Sequence, residues 1–368
     1  MDRKPRILIS GGGTGGHIFP ALSIADACVR RLDAEVLFVG AEGRMEMQRV
    51  PAAGYPIKGL PVAGFNRKNP LKNIKVLWML HKSLRRARNI VRDFKPDIAI
   101  GVGGYASGPV LKAAQRAGIP TLLQEQNSYA GVTNKLLAAK AGAICVAYDG
   151  MERFFPAERI VATGNPVRKN LLDCKLSPAE ARKKLGLNPD KPVLLVVGGS
   201  LGALTLNESM VQAAPPLLAS GIQIIWQTGK NFYPKAEEWL KARGANEGLI
   251  VTPFLSDMGL AYAAAALVVA RAGAGTISEL ELLGKACILV PSPNVAEDHQ
   301  TKNAMALSSR GAAVLLPDSE CRLRLLPVVE GLIHDNKKLE EMSRAISKLA
   351  LPDSDEKIVD EVVKLLQD

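Results

Sequence analysis

Cysteine and histidine are scarce in this chain, which has five cysteines and four histidines among 368 residues. The cysteines show no CxxC pair and no grouping typical of metal ligands; they lie at Cys28, Cys145, Cys174, Cys287 and Cys321. A structural zinc site is therefore not expected. The sequence also lacks a signal-peptide pattern and any apolar run near the ~20 residues of a membrane span. These absences predict a protein of a reducing, cytoplasmic compartment.

Aromatic residues are also few, at 5% of the chain, and they do not cluster. Positive charge, in contrast, is abundant. The net charge is +11, and residues 66–95 alone hold ten basic side chains against one acid, Asp93. Such a segment could face nucleic acid, an anionic membrane, an acidic substrate or only solvent. The shortage of aromatic platforms for base stacking argues against a nucleic-acid binder.

Short apolar runs without alternation recur along the chain, which is typical of strands buried on both faces of a parallel sheet. Helical patterns such as residues 20–31 and 276–283 fit between these runs, so we expect an α/β fold. The predicted strands are residues 6–10, 35–39, 98–101, 121–124 and 143–146, followed by 193–197, 222–227, 249–252, 267–270 and 286–290.

The chain divides into two similar halves around a proline-rich stretch, residues 164–192, which is the predicted hinge region. In each half a strand runs into a glycine turn, ILISGGGTGGH in the first and LLVVGGSLGA in the second. We therefore expect two doubly wound, Rossmann-like domains, 1–163 and 193–349, facing each other across a cleft. The C-terminal helix within residues 350–368 is expected to pack back on the first domain.

Three glycine turns are candidate phosphate sites, because a strand that enters a helix through glycines presents free backbone N–H groups at the positive end of the helix dipole. They are residues 11–16, 198–202 and 273–276. The first turn also fits G-x-G-x-x-G, which would suit a nicotinamide-dependent oxidoreductase. That class needs a ribose-binding acid at the end of the second strand, where only Glu42 follows in a loop.

The third turn leaves two roles open for Glu279. Thr276 is a candidate helix N-cap, and an acid three residues later completes a capping-box pattern. Alternatively, the Glu279 carboxylate accepts hydrogen bonds from ribose hydroxyls while the helix N-terminus holds a diphosphate. Both roles need the same residue type at nearly the same place.

Six motifs together resemble one known family. GGGTGGH, EQNSYAGVTNKLLA, GNPVR, GGSLGA, RAGAGTISE and EDHQTKNA occur in this order and span most of the chain. The set resembles the MurG family of bacterial UDP-N-acetylglucosamine:lipid I N-acetylglucosaminyltransferases. The resemblance implies an inverting, metal-independent enzyme of the GT-B fold that makes lipid II for peptidoglycan. Another GT-B nucleotide-sugar transferase or an epimerase shares the architecture and is the alternative.

The resemblance also implies which residues bind the substrates. In the family the C-terminal domain binds the nucleotide sugar, so Glu279 would hold the ribose, Gln300 the sugar hydroxyls, and the backbone of Leu255 the uracil. One departure from the pattern is Gln124, where the family commonly has histidine. The implied contacts to UDP-N-acetylglucosamine are Thr14, Gly15, Gly16, Asn127, Arg168, Ser200, Leu255, Ala274, Gly275, Thr276, Ile277, Ser278, Glu279 and Gln300.

Neither a metal nor another cofactor is expected, because the only DxD pattern, residues 353–355, lies far along the chain from the glycine turns. Helix N-termini, Ser200 and Arg168 would then stabilise the charge of the departing diphosphate. The first turn would hold the pyrophosphate of the lipid-linked acceptor, through Gly12, Gly13, Gly15 and Gly16.

His17 closes the first glycine turn and is the candidate catalytic base. Inversion by direct displacement needs a group that takes the proton of the acceptor hydroxyl, and histidine suits that task near neutral pH. Glu125 in the EQN motif is the competing carboxylate. His17 could instead only pack in the turn or contact the pyrophosphate.

The basic segment predicts an amphipathic helix over residues 71–94. Its apolar stripe comprises Val76, Leu77, Leu80, Leu84, Ala87, Val91 and Phe94. Trp78 lies among the charges of the other face, which favours a partly apolar interface over a solvated face. We expect this face and residues 66–71 to bind the cytoplasmic side of the plasma membrane, where lipid I resides and other proteins of cell-wall synthesis are candidate partners. The predicted membrane residues are Leu71, Lys75, Trp78, Lys82, Arg85 and Arg86.

Overall fold

The computed structural model describes residues 3–62, 73–167, 169–199, 201–244 and 247–367. Contacts divide the chain into two compact units. Unit 1 is Met1–Val167 with Leu351–Asp368, and unit 2 is Arg168–Ala350. The chain therefore passes from unit 1 to unit 2 after Val167, and most of the stretch expected to be a hinge packs within unit 2.

Unit 1 is a parallel sheet with helices on both faces. Its described strands have the order β3-β2-β1-β4-β5-β6-β7, all pairs parallel. The strands are β1 Arg6–Ser10, β2 Glu35–Ala41, β3 Ile57–Leu60, β4 Ile98–Gly101, β5 Thr121–Glu125, β6 Ala143–Val146 and β7 Ile160–Ala162. The helices are α1 Gly15–Leu32, α2 Glu46–Ala52, α3 Asn73–Phe94, α4 Ser107–Arg116, α5 Val132–Leu137 and, from the chain end, α15 Ser354–Gln367.

Unit 2 repeats this plan with the described strand order β10-β9-β8-β11-β12-β13. The strands are β8 Val193–Val197, β9 Gln223–Gln227, β10 Leu249–Thr252, β11 Leu267–Ala270, β12 Cys287–Leu289 and β13 Val314–Leu315. The helices are α6 Lys169–Leu172, α7 Pro178–Lys184, α8 Leu204–Ala219, α9 Tyr233–Arg243, α10 Met258–Ala264, α11 Ala274–Leu283, α12 His299–Ser308, α13 Cys321–Ile333 and α14 Asn336–Ser347.

The central strands are buried on both faces, as their unbroken apolar runs predict. In β1, Leu8 joins one hydrophobic cluster of unit 1, while Ile7 and Ile9 join the cluster on the opposite face. The sequence missed β3, β7 and β13, which are short strands at the edges of the two sheets. An edge strand pairs on one side only and needs no long apolar run, so its sequence signal is weak.

Helix α15 belongs to unit 1. Ile358, Val359 and Val362 are fully buried there in the same hydrophobic cluster as residues of α1. At its surface, Arg31 of α1 pairs with Asp360 at 2.8 Å. Burial of three branched apolar side chains contributes far more than such a solvent-exposed ion pair. No described helix has an apolar stretch long enough to cross a membrane.

Helix α3 has the two faces that the sequence predicts. Val76, Ala87 and Val91 are buried, and so is Ile90, which the sequence stripe omitted. Leu80, Leu84 and Phe94 are partly buried. On the other face Lys82, Arg85 and Arg86 are exposed. Leu71 lies outside the described residues, as do the side chains of Lys75 and Leu77.

Candidate active site

The three glycine turns lie where each sheet reverses its strand order. In unit 1 the order changes direction between β1 and β4, and the first turn follows β1. In unit 2 the change lies between β8 and β11, and the second and third turns follow those two strands. Ligands of open α/β sheets bind outside the carboxyl ends of the strands at such switch points. The topology therefore supports the phosphate-site interpretation of all three turns.

His17 lies in the first turn of α1, and its ring is held by the loop before it. Nδ1 is 3.1 Å from the carbonyl oxygen of Gly12 and 3.3 Å from Oγ1 of Thr14. Because a carbonyl oxygen can only accept, Nδ1 carries the proton and Nε2 holds the lone pair of the neutral ring. Gly103 approaches on the Nε2 side, where an added Cβ would lie 3.0 Å from this nitrogen. The ring is thus oriented with Nε2 as the basic atom.

The side chain of Glu46, the first residue of α2, contacts this turn, and sequence patterns did not identify it. Its side chain is buried, with 1% of the residue exposed. The carboxylate accepts hydrogen bonds from the backbone N–H of Gly13, at 3.1 and 3.2 Å, and of Ala41, at 3.0 Å. The stretch GAEGRMEM holds two glutamates, and no local pattern indicates which of them points inward.

Glu125 ends β5 and holds the EQN loop in shape. Oε1 accepts from the backbone and side-chain nitrogens of Asn127, at 3.1 and 3.3 Å. Oε2 accepts from the backbone of Gly131 at 3.0 Å and from Nδ2 of Asn134 at 2.9 Å. Burial raises the pKa of the Glu125 carboxyl, and these hydrogen bonds act in the opposite direction. Both oxygens are thus engaged by donors of this loop.

Gln124, the departure from the family pattern, is fully buried beneath the same loop. Its Nε2 donates to Oδ1 of Asn165 at 2.9 Å, and its Oε1 accepts from Nε2 of Gln126. Gln126 also donates to the carbonyl of Val102 at 2.8 Å, which links the ends of β5 and β4. Gln124 thus supports the loop through a network of amides.

The third turn of unit 2 corrects the predicted start of its helix. Helix α11 begins at Ala274 with Gly273 as its N-cap, so Thr276 lies inside the helix and the capping box with Glu279 does not form. The first intrahelical hydrogen bond runs from Ile277 N to Gly273 O at 3.0 Å. The N–H groups of the three residues before Ile277 therefore have no acceptor within the helix. Within the described chain, a Cβ added at Gly275 would meet no atom within 4 Å.

Glu279 lies further along α11 and accepts a hydrogen bond from the Tyr262 hydroxyl of α10, with Oε2 and the phenolic oxygen 2.9 Å apart. Of its two predicted roles, the capping role is thus removed. Ile277 and Ser278 precede it on the helix and are buried. The carboxylate that would bind ribose is therefore held by a neighbouring helix.

Further predicted donor contacts lie in other loops and helices of unit 2, apart from Thr14, Gly15, Gly16 and Asn127, which belong to unit 1. Gln300, in the first turn of α12, accepts from Ser292 N at 2.8 Å through Oε1. Leu255 follows β10 in a loop and is partly buried. In the second turn, Gly202 has a φ of +78° and leaves no room for a Cβ, which would lie 2.0 Å from the carbonyl oxygen of Thr228. Arg168 and Ser200 lie outside the described residues.

No group of three or more His, Cys, Asp or Glu side chains within the described ranges could hold a metal ion.

Comparisons with known proteins agree with this architecture. Residues 7–146 match the family model for the glycosyltransferase family 28 N-terminal domain, and residues 193–358 match that for the C-terminal domain. Two curated relatives are named UDP-N-acetylglucosamine–N-acetylmuramyl-(pentapeptide) pyrophosphoryl-undecaprenol N-acetylglucosamine transferase. That of Bacteroides thetaiotaomicron is 58% identical and is covered to 99%, with 100% of this chain aligned. That of Porphyromonas gingivalis is 54% identical and is covered to 97%, again with 100% of this chain.

A solved structure, that of Acinetobacter baumannii MurG, has a TM-score of 0.78 and 30% sequence identity, with 98% of this chain and 99% of that chain covered. Two parallel-sheet domains with glycine turns at their switch points define a GT-B glycosyltransferase of family 28, which confirms the predicted fold class. Within that class, the chain belongs to the MurG family.

The donors around Glu125 lead to a prediction about stability. Glu125→Gln places an amide NH2 against one pair of N–H donors, so the variant should lose about 1–3 kcal/mol of unfolding free energy, the cost of unsatisfied buried polar groups. Urea unfolding followed by circular dichroism measures this loss. Glu152→Gln removes an exposed carboxylate of the same unit and is the matched control. Equal midpoints for both variants would contradict the structural role of Glu125.

Proposed function

We infer that this enzyme transfers N-acetylglucosamine from UDP-N-acetylglucosamine to the MurNAc sugar of undecaprenyl-pyrophosphoryl-MurNAc-pentapeptide, lipid I, and so produces lipid II. The observation that carries this inference is the similarity, over the whole chain, to relatives whose name states this transfer. The open N-terminus of α11, with Glu279 on the same helix, supports a nucleotide-sugar site in unit 2.

The donor class has a direct test. UDP should raise the melting temperature of the protein, because a ligand that binds only the folded state adds about 2.7 kcal/mol of stability at 100 times its Kd. NAD at the same concentration should leave the melting temperature unchanged. Stabilisation by NAD and not by UDP would favour an oxidoreductase and contradict the inference.

The leaving group is a diphosphate whose negative charge grows as the glycosidic bond breaks. We propose that the N–H groups of Ala274, Gly275 and Thr276 bind this diphosphate at the positive end of α11, and that no metal cofactor takes part. Preorganised backbone donors stabilise developing charge without rearranging during the reaction. Among the described residues, the α11 N-terminus offers three such donors side by side.

His17 is the proposed catalytic base. The acceptor hydroxyl oxygen attacks the anomeric carbon while its proton passes to Nε2 of His17. The bond from that carbon to the phosphate oxygen breaks, and its electron pair leaves with UDP. Two facts support His17 over Glu125: its Nδ1–H is fixed on Gly12 O, which directs a lone pair to Nε2, whereas both oxygens of Glu125 already accept loop hydrogen bonds.

The base assignment predicts the kinetics of His17→Ala. Its kcat should fall by ~10²-fold or more, the size expected for loss of general base catalysis. The KM for UDP-N-acetylglucosamine should change little, because the lost interaction serves the transition state. Steady-state kinetics with a soluble, short-chain lipid I analogue measure both constants. His334→Ala, which removes an exposed histidine of unit 2, is the control. A near-normal kcat in His17→Ala would transfer the role to Glu125.

The ribose role of Glu279 predicts a binding defect. Glu279→Gln keeps the size of the side chain but weakens hydrogen bonds from ribose hydroxyls, so KM for UDP-N-acetylglucosamine should rise by about 10-fold or more. Glu238→Gln, an exposed position on α9, should leave KM unchanged. An unchanged KM in Glu279→Gln would leave this carboxylate with a purely structural bond to Tyr262.

We propose that the exposed face of α3 binds the cytoplasmic surface of the bacterial plasma membrane, where the polyprenyl chain of lipid I is anchored. Trp78 is 63% exposed, and Nζ of Lys82 lies 5.4 Å from the centre of its ring. An exposed tryptophan beside basic side chains suits the boundary between headgroups and acyl chains. Arg86 is a weaker contributor than the sequence indicates, because it pairs with Glu42 at 2.5 Å.

Membrane binding is tested by charge reversal on this face. Lys82→Glu combined with Arg85→Glu should weaken cosedimentation with anionic vesicles by about 30-fold or more, since each basic residue near such a surface contributes about 1 kcal/mol. Lys183→Glu with Lys184→Glu, on exposed positions of α7, carries the same charge change and should bind normally. Activity on a short-chain soluble acceptor should persist in both. Equal vesicle binding by the two double variants would contradict membrane binding and show that this face of α3 contacts only solvent.

A further inference from the structure

The peptide group between Gly12 and Gly13 is hydrogen-bonded at both of its ends. Its N–H donates to the carboxylate of Glu46, at 3.1 and 3.2 Å. Its C=O accepts from Nδ1 of His17, at 3.1 Å. One peptide unit therefore stands between a carboxylate and the proposed catalytic base.

The carboxylate is built into this position. Besides Gly13, it binds the N–H of Ala41 at 3.0 Å, so it is anchored to the last residue of β2. Two glycines leave room for it: a Cβ added at Gly12 would lie 2.1 Å from Oε1, and one added at Gly40 would lie 2.5 Å from Cγ. No described lysine or arginine pairs with Glu46, so backbone N–H groups are its partners there. These contacts hold the carboxylate in a fixed position against the peptide that it binds.

We propose that Glu46, the Gly12–Gly13 peptide and His17 form a relay in which the buried carboxylate raises the basicity of His17 through the peptide, which makes Glu46 a positioning residue for proton transfer. This proposal rests on the proposed function of His17. A carboxylate on the N–H of an amide increases the electron density of its carbonyl oxygen, because hydrogen-bonded groups in a chain polarise one another. That oxygen then holds the Nδ1 proton more strongly.

The relay does for His17 what a direct carboxylate partner does for other histidines. A hydrogen bond to Nδ1 fixes the tautomer and the ring orientation and raises the basicity of the other nitrogen. When Nε2 takes the proton of the acceptor hydroxyl, the positive charge on the ring is stabilised by the negative charge of Glu46 across the peptide. The proton leaves the acceptor oxygen for Nε2, and no proton moves to Glu46.

Other titratable groups on the surrounding elements are engaged elsewhere or lie at a distance along their elements. Glu125 of β5 is held by its own loop. Acidic residues of α15 pair with Arg30 and Arg31 at the far end of α1. Tyr105, two residues after Gly103, is exposed. Glu46, in contrast, is hydrogen-bonded to the turn that holds His17.

Titration of the His17 ring tests the relay independently of catalysis. With four histidines in the chain, ¹⁵N-histidine NMR resolves few signals, and His17→Ala identifies the one from His17. Glu46→Gln should lower the titration midpoint of His17 by about one pH unit, because a nearby negative charge favours the protonated ring. Glu42→Gln removes a neighbouring carboxylate outside the relay and should leave the midpoint unchanged.

Kinetics then separate positioning from folding. In Glu46→Gln, kcat should fall by about 10-fold or more, as activity does when the outer hydrogen-bond partner of a metal-bound histidine is removed. The acidic limb of the kcat profile should move to lower pH together with the NMR midpoint, and KM for UDP-N-acetylglucosamine should stay within about twofold. Glu46→Asp keeps the charge and should recover part of the shift.

An unchanged His17 midpoint in folded Glu46→Gln would overturn the relay. If Glu46→Gln does not fold, as judged by circular dichroism, the midpoint of Glu46→Asp decides. Aspartate is one methylene shorter, which draws the carboxylate back from the N–H of Gly13, so a midpoint equal to that of the native protein would overturn the relay. If Glu46→Gln lowers the His17 midpoint but His17→Ala has normal turnover, the relay is supported and the role of His17 as the base is refuted.

Discussion

The buried carboxylate of Glu46 binds the N–H groups of Gly13 and Ala41, and thereby ties the turn after β1 to the end of β2. The conformation of this turn follows from that contact. Gly12 adopts a φ of +153°, where a side chain would collide with the carboxylate, and its carbonyl points to His17. The first glycine turn is thus shaped by an internal anion as well as by the absence of side chains. The orientation of the proposed base depends on the same contact.

The turn before α11 uses the same backbone geometry differently. Its N–H groups donate no hydrogen bond to a carboxylate in the described part of unit 2, and the space beside Gly275 is open. This arrangement suits a site that receives the diphosphate of a soluble donor. Each unit therefore places backbone donors at a switch point of its sheet, and the two turns differ in what those donors face: a carboxylate at Gly13 and open space at Gly275. In unit 1 the N–H of Gly13 already donates to Glu46. Gly13 is one of the residues predicted to bind the acceptor pyrophosphate, and its N–H is thus occupied by an internal partner.

Sequence patterns predicted the architecture well where burial is uniform. Strand β8 and the middle of β1, residues 7–9, are apolar because both their faces are covered, and glycine turns follow these strands directly. Edge strands such as β13 lack that signal. The start of α11 was misplaced because a local Thr-x-x-Glu pattern fits a capping box, whereas Glu279 bonds Tyr262, 17 residues earlier in the chain. Glu46 was missed for a similar reason: its partners are brought to it by the fold, and the six motifs of the family resemblance do not include it.

Analysis of the reaction product is the sharpest test of whether this chain transfers a sugar to a lipid-linked acceptor with inversion. The protein is incubated with labelled UDP-N-acetylglucosamine and a short-chain lipid I analogue, and the product is isolated and examined by NMR. We expect UDP and a β-linked disaccharide product in equal amounts, since one displacement inverts the α linkage of the donor. Label found only in free N-acetylglucosamine, or in an epimer of the sugar without acceptor attached, would rule out this transfer and indicate hydrolysis or an epimerase.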